Sequence, residues 1–194
     1  MGKIRLKTEA TAQANEVMVL GCDPGFAKFG MALTAVNLDT MTVRPIRIDL
    51  AVSKKNSSKQ VLVSSDDVRR ISDVRNQVVA MATQADLIMS EVPSGGAKSH
   101  AAAKAMAYAT AILASVQLPL IQVTPLQVKF AATGDKHASK AEMIAWAREK
   151  HGALNWTKTL KDEHMADALA AVYAGIESEQ FLTSTVMMRS LKTA

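Results

Sequence analysis

Val17 to Cys22 is a nearly unbroken apolar run, closed at once by Asp23-Pro24-Gly25. A strand of this kind has no polar face to offer water, so it must lie in the middle of a sheet with structure packed above and below. It is therefore predicted to be the central strand. Lys28 to Val36 and Thr42 to Val52 are β-rich and are separated by Asn37-Leu38-Asp39-Thr40, which predicts a hairpin. The chain is thus expected to open as an antiparallel meander.

The pattern then changes period. Lys54 to Ser65 is rich in Ser and Lys and reads as an exposed loop. Val68, Ile71, Val74, Val78 and Met81 recur at spacings of three and four, predicting a helix over 66–84. A short strand is predicted over 86–91, followed by Pro93-Ser94-Gly95-Gly96. An Ala-rich helix over 101–116 could pack on the sheet or form part of a dimer interface. A further strand is expected over 118–123. Thr124-Pro125-Leu126-Gln127 and Ser139-Lys140-Ala141-Glu142 both carry the signature of a reciprocal N-terminal cap. The last strong helix is predicted over 162–176, with Met165, Leu169, Val172 and Ile176 on one stripe. Residues 178–194 show no readable pattern, and residues 1–16, with Lys3, Arg5 and Lys7, read as a flexible basic arm. Strands first, then alternating helices and strands, give a mixed α/β fold on one central sheet.

The chain's 194 residues, 48% of them hydrophobic, suit a single domain (1–194) with one sizeable core. No apolar run is long enough to span a bilayer, and Met1 to Glu16 is too polar for a secretory signal, so a cytoplasmic protein without a membrane partner is expected. Cys22 is the single cysteine, which excludes an intrachain disulfide and a multi-cysteine zinc site. Any metal must be held by oxygen and imidazole. The net charge of +5 and pI near 9.4 favour a polyanionic partner.

The chemistry is suggested by where isolated acids fall. Asp23 ends the central strand and Glu91 ends the strand predicted over 86–91. If these strands are parallel neighbours, both carboxylates face the crevice beyond their carboxyl ends, where open α/β sheets bind ligands. Two such charges repel unless a cation lies between them, and magnesium, a hard ion, is the natural choice. His164 and Asp167, three apart, share one side of the last predicted helix and could complete a site for two ions about 3.5–4 Å apart, the arrangement used for in-line attack on a phosphodiester. Each residue also has a plainer reading. Asp23 before Pro-Gly suits a turn, Glu91 a solvated strand end, and His164 a structural role. Asp162 and Glu163 suit the cap and dipole of the last helix, or stand in as ligands. Trp156 could stack on a base or pack beneath that helix.

Together, Val19-Leu20-Gly21-Cys22-Asp23-Pro24-Gly25 with Gly30, Ile88-Met89-Ser90-Glu91, Gln127-Val128-Lys129 with Gly134 and Ser139-Lys140, and His164-Met165-Ala166-Asp167-Ala168-Leu169-Ala170 resemble, in order and spacing, the motifs of the RuvC Holliday-junction resolvases over residues 17–176. The resemblance implies a ribonuclease H-like fold, with a five-stranded mixed sheet of three antiparallel then two parallel strands flanked by helices. It further implies a homodimer that cuts four-way DNA junctions by magnesium-dependent hydrolysis, manganese substituting. Carried over by position, Asp23, Glu91, His164 and Asp167 would bind two ions, with His164 a possible water activator, and Lys129 and Lys140 would stabilise charge on the phosphate. Lys98, His100 and Lys136 are further expected DNA contacts. The family often carries an aromatic residue shortly after the second acid, and Val92-Pro93-Ser94-Gly95-Gly96 has none. A nuclease with relaxed specificity for forks and flaps, and a non-catalytic DNA-binding protein on the same fold, are the competing expectations. A sugar-kinase-like ATPase is disfavoured by the lack of a second Gly-rich phosphate loop.

Overall fold

The structure is a computed structural model that describes residues 15–58, 60–92 and 99–192, with the side chains of 189–192 left out. Most of the expected basic arm, the Pro93-Ser94-Gly95-Gly96 segment and Lys98 lie outside the described residues. Five strands form one sheet: β1 (Glu16–Asp23), β2 (Lys28–Asn37), β3 (Val43–Val52), β4 (Leu87–Glu91) and β5 (Leu120–Val123), in the order β3-β2-β1-β4-β5. β1 to β3 are antiparallel neighbours, while β4 pairs parallel with both β1 and β5. β1 is central, as its unbroken apolar character requires. The helices are α1 (Val63–Ala82), α2 (His100–Ala114), α3 (Pro125–Thr133), α4 (Lys140–Lys150), α5 (Asp162–Ile176) and α6 (Glu179–Lys192).

Alternation along the strands divides the core into two layers. Met18, Leu20, Cys22 and Ile88 point to one face and pack with Val74, Val78 and Met81 of α1 and Ile112 and Leu113 of α2. Val17, Val19, Leu87 and Met89 point to the other and meet Val172 and Ile176 of α5 and Phe181 of α6. By the same alternation Asp23 and Glu91, at the ends of those odd-numbered rows, fall on the α5 face.

Several sequence expectations are corrected. β1 begins at Glu16, which is buried against Arg44 (2.6 Å), so this residue belongs to the sheet and not to the expected arm. α1 starts at Val63 rather than residue 66, which shortens the preceding loop, and Val68 is 64% exposed instead of lying on the apolar stripe. Asp66, Asp67 and Arg70 take the inward face of that first part. Asp66 is satisfied by Arg69 and the Asn56 backbone, Asp67 by Lys104, and Arg70 lies 3.9 Å from the Phe26 ring centre. The unreadable tail contains α6, anchored through buried Phe181 and Thr185. Both reciprocal caps are present, at Thr124–Gln127 and Ser139–Glu142. On α2, Ala109, Ile112 and Leu113 face the sheet, while Ala103, Ala107, Ala111 and Ala114 are exposed.

Candidate active site

The site forms because α5 lies unusually close to the sheet. A β-carbon added to Gly30 would sit 1.9 Å from the His164 carbonyl oxygen, and one on Gly21 would sit 2.1 Å from that of Ala168. Two absent side chains thus let the α5 backbone rest directly on β1 and β2. Gly30 is also the cross-strand partner of Asp23, so the turn of α5 bearing His164 lands above the Asp23 carboxylate. The His164 Nδ1–Asp23 Oδ2 distance is 2.7 Å. A carboxylate accepts, so the ring donates from Nδ1, and in the neutral imidazole Nε2 keeps its lone pair.

Parallel pairing supplies the second acid. Cys22 faces Ser90 across β1 and β4, so the next residues, Asp23 and Glu91, end side by side at one sheet edge. Burial pushes the Glu91 carboxyl up to about 7, with Asp23 adding to the effect and Lys129 opposing it. Burial likewise pushes Asp167 up to about 8, reinforced by Asp23, Glu91 and Glu163 and opposed by Lys129. Asp23, Glu91 and Asp167 are therefore close enough to act on one another's charge, and burial penalises the ionised forms of Glu91 and Asp167. Among the described residues, no three His, Cys, Asp or Glu side chains close around one point as a finished ligand set. The acids crowd a common rim without yet meeting.

Lys129 projects toward this rim from α3, whose start is fixed by the Thr124–Gln127 cap directly after β5. Lys140, the first residue of α4, is largely exposed and pairs with Glu163 of α5 at 2.7 Å, which holds its ammonium in the charged form. His100 begins α2 and Lys136 lies just past α3, both exposed. Trp156 is not a stacking platform: its Nε1 donates to the His151 carbonyl (2.9 Å) and its ring packs against the Met165–Leu169 cluster under α5. A groove of about 1080 Å3 along the outer edge of β3, lined by residues such as Arg47, Asp49, Asn155 and Met165, contains none of the candidate residues.

Asp162 does not act as the expected helix cap; Lys161 occupies that position, without a side-chain cap bond. Instead Asp162, fully buried, accepts from Arg148 Nη2 (2.5 Å), Thr157 N (2.8 Å), Thr157 Oγ1 (2.5 Å) and Lys158 N (3.0 Å). It ties α4 and the 152–161 loop to the first turn of α5, immediately before His164. The acidic Asp162-Glu163 pair was visible in sequence, but nothing there distinguished a buried anchor from a cap. Asp162→Asn is expected to lower unfolding stability by about 2 kcal/mol, because an amide cannot replace a carboxylate that only accepts. Chemical denaturation of the variant checks this.

The chain is similar in sequence and in fold to known proteins. Residues 19–174 match the family described as "Crossover junction endodeoxyribonuclease RuvC". A protein of that description from Anaeromyxobacter sp. (strain Fw109-5) is 31% identical over 156 residues, covering 79% of this chain and 70% of that protein. One from Anaeromyxobacter dehalogenans (strain 2CP-C) is 29% identical, covering 85% and 83%. Among solved structures, T. thermophilus RuvC in complex with Holliday junction substrate superposes with a TM-score of 0.63 at 21% identity, covering 87% of this chain and 97% of that one. The fold is the expected ribonuclease H-like one, and the chain belongs to the RuvC family of crossover junction endodeoxyribonucleases.

Proposed function

We propose that this protein is a DNA endonuclease that resolves four-way junctions by divalent-metal-dependent hydrolysis, acting as a homodimer. The observation that carries the reading is the crowding of Asp23, Glu91 and Asp167 on one rim, with His164 on Asp23 and Lys129 opposite. Membership of the family and the junction bound by the T. thermophilus relative support the substrate.

The donor set fits magnesium: three carboxylates and an imidazole, in surroundings that penalise the negative charge of Glu91 and Asp167 until a cation offsets it. Asp23, Glu91, Asp167 and His164 are assigned as the residues that hold two such ions, with manganese as a substitute. Bound there, they supply charge neutralisation and Lewis acidity toward the phosphodiester. The protein's own groups do the rest. Asp23 fixes the His164 tautomer, leaving Nε2 free either as a ligand or to take a proton from the attacking water. Lys129 and, once released from Glu163, Lys140 place positive charge on the non-bridging phosphate oxygens. His100 and Lys136, with Lys98, are assigned to the DNA backbone, where they position the duplex without reading its sequence.

Paired symmetric cuts require two sites related by a two-fold axis. An exposed apolar patch of Leu62, Val63 and Val68 beside α2, together with the exposed alanine stripe of α2, supports self-association on this side of the molecule. A chain that stays monomeric at working concentration contradicts that assignment.

Two measurements test the reading. Synthetic four-way DNA should be nicked symmetrically in magnesium, in preference to forks and linear duplex; equal cutting of forks and flaps would favour the relaxed-specificity alternative. The second follows from linkage. Glu91 and Asp167 bind protons more tightly in the folded protein than in the unfolded chain, so their ionisation costs metal-free stability. That cost begins just above the ordinary carboxylate range and is complete once pH passes about 7 to 8. Metal binding must displace those protons. The rise in thermal midpoint on adding magnesium is expected to be larger at pH 8.5 than at pH 6, and a pH-independent rise would contradict the assignment.

A further inference from the structure

We infer that Phe130 is the residue that discriminates branched from linear DNA, by stacking on an unpaired base next to the scissile phosphate; the inference rests on the nuclease reading above. The chain has four Phe, two Tyr and two Trp, and among the described residues Phe130 is the sole exposed aromatic. The others have partners. Phe29 and Phe181 are buried, Phe26 packs edge-on to Tyr108 with ring centres 4.8 Å apart, Trp146 meets Tyr173 at 5.4 Å, and Trp156 is held by His151. Phe130, half exposed, has its ring overlain by Lys136 Nζ at 5.8 Å. Leu126, one turn earlier and also half exposed, extends the apolar strip along α3.

Its position gives the exposed ring a ligand. Phe130 follows directly on Lys129 in α3, and the Lys129 charge acts on both Glu91 and Asp167, so the exposed ring is carried by the same turn of helix that serves the acid rim. Lys129 and Lys136 flank it with positive charge, and Asp135, the nearest acid in sequence, is occupied by the His137 backbone N–H (2.8 Å). A second copy of the chain docked through this strip would bring like charges together. A nucleobase with its phosphates brings an aromatic face and negative charge in the same spacing. Paired bases in linear duplex present no free face; bases at a branch point do. Aromatic stacking on a base is sequence-tolerant, which suits recognition of shape.

The test compares Phe130→Ala, Phe130→Leu and Phe130→Trp with the parent protein on a synthetic four-way junction and on linear duplex of matching sequence. Because the side chain is exposed, all three should keep the parent's thermal midpoint. The Ala and Leu variants should bind the junction on the order of tenfold more weakly and cut it with a correspondingly lower preference over duplex. The Trp variant should retain both properties and show indole quenching on the junction beyond that of the parent. Parent-like junction affinity in the Leu variant, or an equal loss on junction and duplex, overturns the inference while leaving the nuclease reading intact. A parent protein that neither binds nor cuts the junction overturns both.

Discussion

Replacing Asp23 by Asn is expected to reduce junction cleavage on the order of a thousandfold or more, while leaving junction binding within about twofold. The separation of effects follows from where the side chain sits. Asp23 ends β1 on the α5 face, accepts from His164 Nδ1 at 2.7 Å, and contributes the charge that raises both Glu91 and Asp167. Its amide would be isosteric, so the sheet edge should keep its shape. It would lose the charge that draws a cation, and it could present an NH2 rather than an acceptor to the imidazole, freeing the ring to rotate. The basic residues assigned to DNA, Lys129, Lys136 and Lys140, would be untouched. Cleavage of labelled junctions under single-turnover conditions, beside gel-shift titration, reads both quantities. Undiminished cleavage would remove Asp23 from the mechanism; lost binding would make it structural.

The second large effect is expected at a residue that carries no chemistry. Gly30→Ala should destabilise the fold by about 3 kcal/mol or more, because its new β-carbon would meet the His164 carbonyl oxygen at 1.9 Å. The obstacle is helix backbone rather than the end of a flexible side chain, so relief requires α5 to move away from the sheet. That movement would lift His164 from Asp23 and carry Asp167 with it. Any folded fraction is therefore expected to be cleavage-impaired as well, and a variant with parent stability and parent rate would contradict the close packing of α5. Thermal denaturation and the junction assay together check it.

These two residues mark the boundary of what the sequence discloses. Asp23 was legible because β1 is apolar on both faces and the first charge after such a run must fall at the sheet's rim; Glu91 was legible for the same reason. The parallel register of β1 and β4 then made them neighbours. The α5 stripe was legible because Met165, Leu169, Val172 and Ile176 are all buried. The packing role of Gly21 and Gly30 was not, since a missing side chain gives no periodic signal until the helix above it is known. Val68 was misplaced because counting apolar residues cannot anticipate that Asp66, Asp67 and Arg70 would be neutralised and turned inward. α6 escaped notice because it buries Phe181 and Thr185 while exposing Leu182 and Val186, which erases the amphipathic pattern. Asp162 looked like a cap because its partners, Arg148 and Thr157, are brought to it only by the fold of the 152–161 loop.

The proposed ligands Asp23, Glu91, His164 and Asp167 come from β1, β4 and α5, and hydrolysis at this rim requires that they serve the same metal ions. The most direct measurement is anomalous diffraction from crystals grown with manganese, bound to the protein without DNA. Manganese density bounded by the Asp23, Glu91 and Asp167 carboxylates is the expected result. Crystals that bind manganese elsewhere, or leave this rim empty at concentrations that fully support cleavage, would contradict it.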